Sequence, residues 1–202
     1  MQKIIFGLLG VCGSLILCIR LKVFIAKIVL EKKEKEAKLL PKKFIFLGSS
    51  LASSAPPLVE IICYSFLSNH YHFLLKQLQE KGIEKFMHKL GYGYSRYFNH
   101  KYNRSGSLFQ GTYKAKHIDK DSYLLWISGY INGNPEIHKI AKAEDWPWSS
   151  YRDYLGKRNG TLCNKNIILK DFKNISEYKH LVNHIIRGSS QKKDDIKKYL
   201  LE

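Results

Sequence analysis

Acidic side chains are scarce in this chain. Asp and Glu number 17 against 34 Lys and Arg, which leaves a formal net charge of +17 and a pI near 9.7. Such an excess favours a polyanionic partner, either nucleic acid or an anionic membrane face. Cysteine is sparse too: Cys12, Cys18, Cys63 and Cys163 form no CxxC pair. A disulfide framework is implausible at that density, and the four read as reduced structural residues of a cytosolic protein. Long apolar runs are also lacking. The longest, residues 4–19 (IIFGLLGVCGSLILCI), is broken by Arg20 and Lys22 and falls short of the about 20 residues a membrane-spanning helix needs. No small-residue cleavage site follows, because the chain continues RLKVFIAKIVL, so a secretory signal is disfavoured. A marginal membrane anchor and a buried element remain as readings of that run. There is no internal repeat.

What the chain does have is an ordinary apolar fraction, 45%, over 202 residues, enough for one compact domain with appendages. Three stretches divide it: an apolar and then charged amino-terminal segment (1–57), a core (58–156) and a basic helical tail (157–202). In the first, residues 29–40 (VLEKKEKEAKLL) have a charged helical pattern stopped by Pro41, and residues 49–57 read as a loop. Residues 58–66 (LVEIICYSF) are β-branched and aromatic, as in a strand buried on both faces. Ser68 and Asn69 signal a turn, so residues 58–76 form a candidate hairpin. Apolar residues at helical spacing (Ile83, Phe86, Leu90, Tyr94, Tyr97) predict a helix over 83–98. Residues 108–118 read as extended. A helix from Ser122 through Tyr130 is expected to end near Pro135. Residues 146–155 read as an aromatic turn with a short helix, and 177–186 and 194–201 as peripheral basic helices.

Three constellations carry chemistry. On a strand, His70 and His72 point to one side and Tyr71 to the other, and two imidazoles on one face can share a divalent ion. HxH spacing also describes two ordinary histidines at a strand start. Tyr130 and Asn134 stand four apart, on one face if the helix continues. A tyrosine there can be a nucleophile and an amide oxygen a further metal ligand. Tyrosine is common here, with 13 copies, and Asn132-Gly133-Asn134-Pro135 reads as a helix-ending turn. Third, Lys85, Lys89, Arg96, Lys101, Arg104, Lys114 and Lys116 interleave with Tyr92, Tyr94, Tyr97, Phe98, Tyr102, Phe109 and Tyr113. That mixture suits a groove for single-stranded or hairpin DNA, and equally a solvated basic face over an aromatic core.

Taken in order, these pieces resemble the single-tyrosine transposases of small insertion sequences, especially those associated with repetitive extragenic palindromes (REP). The strand, Asn-His-x-His and apolar pattern is CYSFLSNHYHFLL (63–75). The basic aromatic segment is SRYFNHKYNRSGSLFQGTYKAKHID (95–119), the tyrosine helix ends YINGNP (130–135), and the Trp-Ser-Ser-Tyr signature is WPWSSYRDYLG (146–156). The family's Met-Pro before Asn-His is Leu67-Ser68 here, and Gly133 replaces an apolar residue. Nothing in residues 1–57 matches the family's first strand.

The resemblance implies an α+β fold with a ferredoxin-like antiparallel sheet and helices on its faces. It implies His70, His72 and Asn134 as ligands of Mg²⁺ or Mn²⁺, Tyr130 as the nucleophile that forms a 5′-phosphotyrosine, and a homodimer acting on hairpin DNA in the cytoplasm, at the nucleoid. The departing first strand motivates the alternative of a catalytically inactive nucleic-acid-binding remnant, and the apolar start motivates a membrane-anchored basic protein.

Overall fold

The structure is a computed structural model that describes the backbone of residues 4–10 and the chain from 56 to 191. Cys12, Cys18, the charged pattern of residues 29–40 and the expected helix over 194–201 lie outside the described residues. Four strands form one antiparallel sheet: β1 (Ile4–Gly10), β2 (Val59–Phe66), β3 (His70–Gln77) and β4 (Lys114–Ile118). Their order is β2-β3-β1-β4, that of ferredoxin-like sheets. The helices are α1 (Gly82–Lys101), α2 (Asp121–Ile137), the single turns α3 (Tyr151–Tyr154) and α4 (Asn166–Leu169), and α5 (Ile175–Gln191).

The apolar amino terminus supplies an inner strand. β1 pairs with β3 from Ile4↔Lys76 to Gly10↔His70, and with β4 from Ile4↔Ile118 to Leu8↔Lys114. Side chains pack on both faces of the neighbouring β2–β3 hairpin, and an inner strand of a sheet covered on both sides reads as a continuous apolar run, which explains why its sequence also suggested an anchor. Among the described residues no helix is long and apolar enough to cross a membrane.

The expected hairpin is β2–β3, closed by the bond from the Leu67 N–H to the His70 carbonyl, 2.9 Å. Strand alternation splits its side chains between two cores. Tyr64, Phe66, Tyr71, Phe73 and Leu75 pack with Ile83, Phe86, Leu90 and Tyr94 of α1 on one face. Ile62, Cys63 and Leu74 pack with α2 and α5 on the other. A register shift between Ile61 and Cys63 lets the consecutive Ile62 and Cys63 join the same cluster, as a β-bulge does.

Two further findings correct the sequence reading. The helix carrying Tyr130 does not stop in a turn at Asn132–Pro135; α2 runs to Ile137 with Pro135 inside it. Tertiary packing overrides local propensity there: a Cβ on Gly129 would stand 2.5 Å from Ile185 Cδ1, and one on Gly133 would stand 2.9 Å from Ile186 Cγ1, so α5 lies directly against α2. Residues 177–186 are therefore not peripheral, since Tyr178, Val182 and Ile185 are buried in that interface.

The Trp-Ser-Ser-Tyr segment covers the outer edge of β2, where unpaired backbone groups would otherwise face solvent. The Phe66 N–H donates to the Trp148 carbonyl (3.0 Å), the Ser150 N–H to the Tyr64 carbonyl (2.9 Å), and the Trp146 indole N–H to the Phe66 carbonyl (3.0 Å). Ser150 Oγ also donates to Asn132 Oδ1 at 2.7 Å, and Asn132 Nδ2 donates to the Tyr178 hydroxyl at 2.8 Å. One buried chain of hydrogen bonds thus ties the sheet edge to α2 and α5.

Candidate metal and nucleophile site

The α2 face of β3 holds the two histidines. As strand alternation requires, His70 and His72 project to the same side, with ring centres 4.9 Å apart. His72 is fully buried. The His70 Nδ1–H donates to Asn69 Oδ1 at 2.8 Å, which leaves Nε2 as the ring's lone-pair nitrogen. That atom is buried with no hydrogen-bond partner. Burial, and after it the nearby His138, lowers the His70 pKa to about 4, with Asn134 pulling the other way. Burial, then His70 and His138, holds His72 well below the ordinary range. Both rings are therefore neutral at pH 7, the form in which imidazole ligates a metal.

α2 brings Tyr130 and Asn134 to the same place. The Tyr130 ring stands edge-on to His72 with centres 6.0 Å apart, and stacks on Trp126 at 5.6 Å. Because the helix continues through Pro135, Asn134 lies one turn beyond Tyr130 on the same face. Its side chain is fully buried, and neither amide atom has a hydrogen-bond partner. An orphaned buried amide is costly, and its place beside His70 suits a missing electropositive ligand. Among the described residues no group of three His, Cys, Asp or Glu side chains could hold a metal ion. The set that fits a cation here is two imidazoles and an amide oxygen.

Three contributors escaped the sequence reading. His138 caps α2, and its ring lies 5.2 Å from that of His70; counting on by four from Asn134 would have found it, had the helix been carried through Pro135. Ser65 pairs with His72 in the hairpin register, and its buried hydroxyl has no partner; counting back from the Ser68-Asn69 turn reaches it. Trp126 continues the stack outward to Tyr123 (6.1 Å), over which Lys116 Nζ sits at 5.2 Å.

Of the basic residues, Lys85, Lys89, Arg96, Lys101, Arg104 and Lys114 are exposed and Lys116 is half-buried. Several pair with rings. Arg96 lies 5.6 Å from the Tyr92 centroid, Lys101 5.7 Å from Tyr97 and Arg104 5.6 Å from Phe98. Tyr92, itself stacked with His88, is 54% exposed. Tyr94, by contrast, belongs to the core, so α1 serves the core with one face and offers cations and rings to solvent with the other.

Residues 57–134, from the start of β2 to Asn134, match the family described as "Transposase IS200 like". Residues 57–134 thus carry the sequence pattern of IS200-like transposases. A solved structure described as a REP-associated tyrosine transposase bound to a REP hairpin is similar to it, with a TM-score of 0.52 at 15% identity over 77% of this chain and 80% of the other. At that identity the likeness is one of fold. No curated protein matches the chain by sequence. The family match begins after β1, so the strand whose sequence departs from the family pattern still fills an inner position of the sheet.

Proposed function

We propose that this protein cleaves and rejoins one strand of single-stranded or hairpin DNA, with Tyr130 as nucleophile and His70, His72 and Asn134 as metal ligands. The observation that carries the reading is the meeting of Tyr130 with His72, at 6.0 Å between ring centres, beside the buried, unpartnered Asn134 amide. In the step envisaged, the Tyr130 phenol gives up its proton and its oxygen bonds to phosphorus. The P–O3′ bond breaks, and the departing 3′-oxygen takes up a proton. The products are a 5′-phosphotyrosine and a free 3′-hydroxyl. Attack by a 3′-hydroxyl on the phosphotyrosine reverses the exchange, with no nucleotide cofactor. Mg²⁺ or Mn²⁺ held by those ligands would polarise the scissile phosphate and offset charge on its oxygens. Lys85, Lys89, Arg96, Lys101, Arg104, Lys114 and Lys116 would hold the phosphate backbone, with Tyr92 as a stacking platform. Both halves of the site come from one chain; the homodimer implied by the family resemblance would set two such sites together, and sedimentation of the full chain reads that state.

The test is incubation of a hairpin single strand with the protein and Mn²⁺, followed by denaturing electrophoresis. A covalent DNA–protein adduct forms with the wild type and disappears in Tyr130→Phe. An adduct undiminished in that variant refutes the mechanism. Tyr130 is only 1% exposed, which favours a second reading, binding without cleavage. That reading yields salt-sensitive retention of the hairpin with no adduct at any Mn²⁺ concentration.

A further inference from the structure

Aromatic side chains in a helix lean back onto the residues three and four before them. α2 does this twice in succession. Tyr130 stacks on Trp126 with ring centres 5.6 Å apart, and Trp126 on Tyr123 at 6.1 Å, with 13° between the planes at each step. Lys116 of β4 sets its ammonium over the Tyr123 ring at 5.2 Å. The ladder thus starts at a cation on β4, the end strand of the sheet, and finishes at the phenol beside His72. Leu124, Ile127 and Ile131 of the same helix are buried in the core, whereas Tyr123 and Trp126 are only half-buried. An indole that stays partly in water is better explained by the ring it stacks on than by the core. The ring torsion of a tyrosine is broad, so neighbours set it rather than its own rotamer. Tyr130 has His72 edge-on at 6.0 Å and Trp126 flat against it.

We propose that Trp126, backed by Tyr123, is a positioning residue: its indole fixes the plane and place of the Tyr130 ring, so that the phenol oxygen is aimed before the DNA strand arrives. The inference rests on the reading of Tyr130 as nucleophile. Reacting atoms must meet at about 3–3.5 Å in the right line, and a misplacement of about 1 Å can cost roughly a hundredfold in rate. Trp126 acts through Tyr130, so its loss slows the chemical step and leaves the binding of DNA alone.

The experiment measures two quantities on the full chain with a hairpin single strand and Mn²⁺: the single-turnover rate of adduct formation at saturating protein, and the hairpin Kd by fluorescence anisotropy. Trp126→Leu keeps apolar bulk and removes the flat face; its rate falls roughly 10–100-fold while Kd stays within about twofold of the wild type. Trp126→Phe restores a flat ring and recovers most of the rate. Tyr123→Leu slows the reaction by roughly 2–10-fold, because the indole loses its backing but keeps its contact with Tyr130. A wild-type rate in Trp126→Leu, a Trp126→Phe as slow as Trp126→Leu, or a Kd that rises as much as the rate falls each refutes the positioning role while the nucleophile reading stands. If circular dichroism shows Trp126→Leu unfolded, Tyr123→Leu decides, and a wild-type rate there overturns the ladder. A wild type that forms no adduct overturns the nucleophile reading and this one with it.

Discussion

Gly133 in isolation costs a helix about 1 kcal/mol relative to alanine, yet it stands inside α2. Its missing side chain is what admits Ile186 of α5, as Gly129 admits Ile185. Gly133→Leu is therefore expected to destabilise the fold by about 1–3 kcal/mol through overpacking, read as a lower urea midpoint with an unchanged slope. That His70 and His72 share a face was legible from strand alternation; that Asn134 follows Tyr130 on one helix face was not, because Asn132–Pro135 reads as a helix-ending turn, and only the family resemblance drew the four residues together. His138 was hidden by Pro135, whose ordinary meaning is a helix end. Ser65 was hidden because one serine among buried apolar residues carries no signal until a hairpin register sets it opposite His72.

At the scale of elements, the Trp-Ser-Ser-Tyr segment acts as a latch on β2. Ser150 Oγ accepts from the Tyr64 N–H at 2.9 Å and donates to Asn132 at 2.7 Å. Ser150→Ala leaves buried polar partners unsatisfied and should cost about 1–3 kcal/mol, measured by thermal unfolding. Because Asn132 lies on the helix that carries Tyr130, the same variant should also slow adduct formation on a hairpin strand. The hairpin and α1 were readable from alternation and from apolar spacing. The end of α2 and the burial of α5 were not, because both depend on contact between segments about 50 residues apart, such as Asn132 with Tyr178, |i−j| = 46. β1 stayed ambiguous for a different reason: an apolar run suits an inner strand and a membrane equally well.

For the whole molecule, charge and sheet order make separate predictions. With +17 overall, hairpin binding should weaken steeply with salt. The triple variant Lys85→Ala, Lys89→Ala, Arg96→Ala removes three exposed cations of α1 and should lower the slope of log affinity against log salt by about 2, at roughly 0.7 per phosphate contact on a single strand. An unchanged slope in fluorescence anisotropy would remove α1 from the interface. Deleting residues 1–10 withdraws the strand between β3 and β4. The shortened chain should lose cooperative unfolding, as followed by circular dichroism.

The place of β1 also bears on how the protein comes off the ribosome. Ile4 pairs with Lys76 and Ile118, 72 and 114 residues downstream. At roughly 5–20 residues per second, a greasy segment waits about 4–14 s for its first neighbour to be synthesised and longer for its second. A nascent chain in that interval displays an unsatisfied apolar ribbon, so yield in the cell depends on holdase chaperones and on translation speed through residues 11–76 as much as on the stability of the finished sheet.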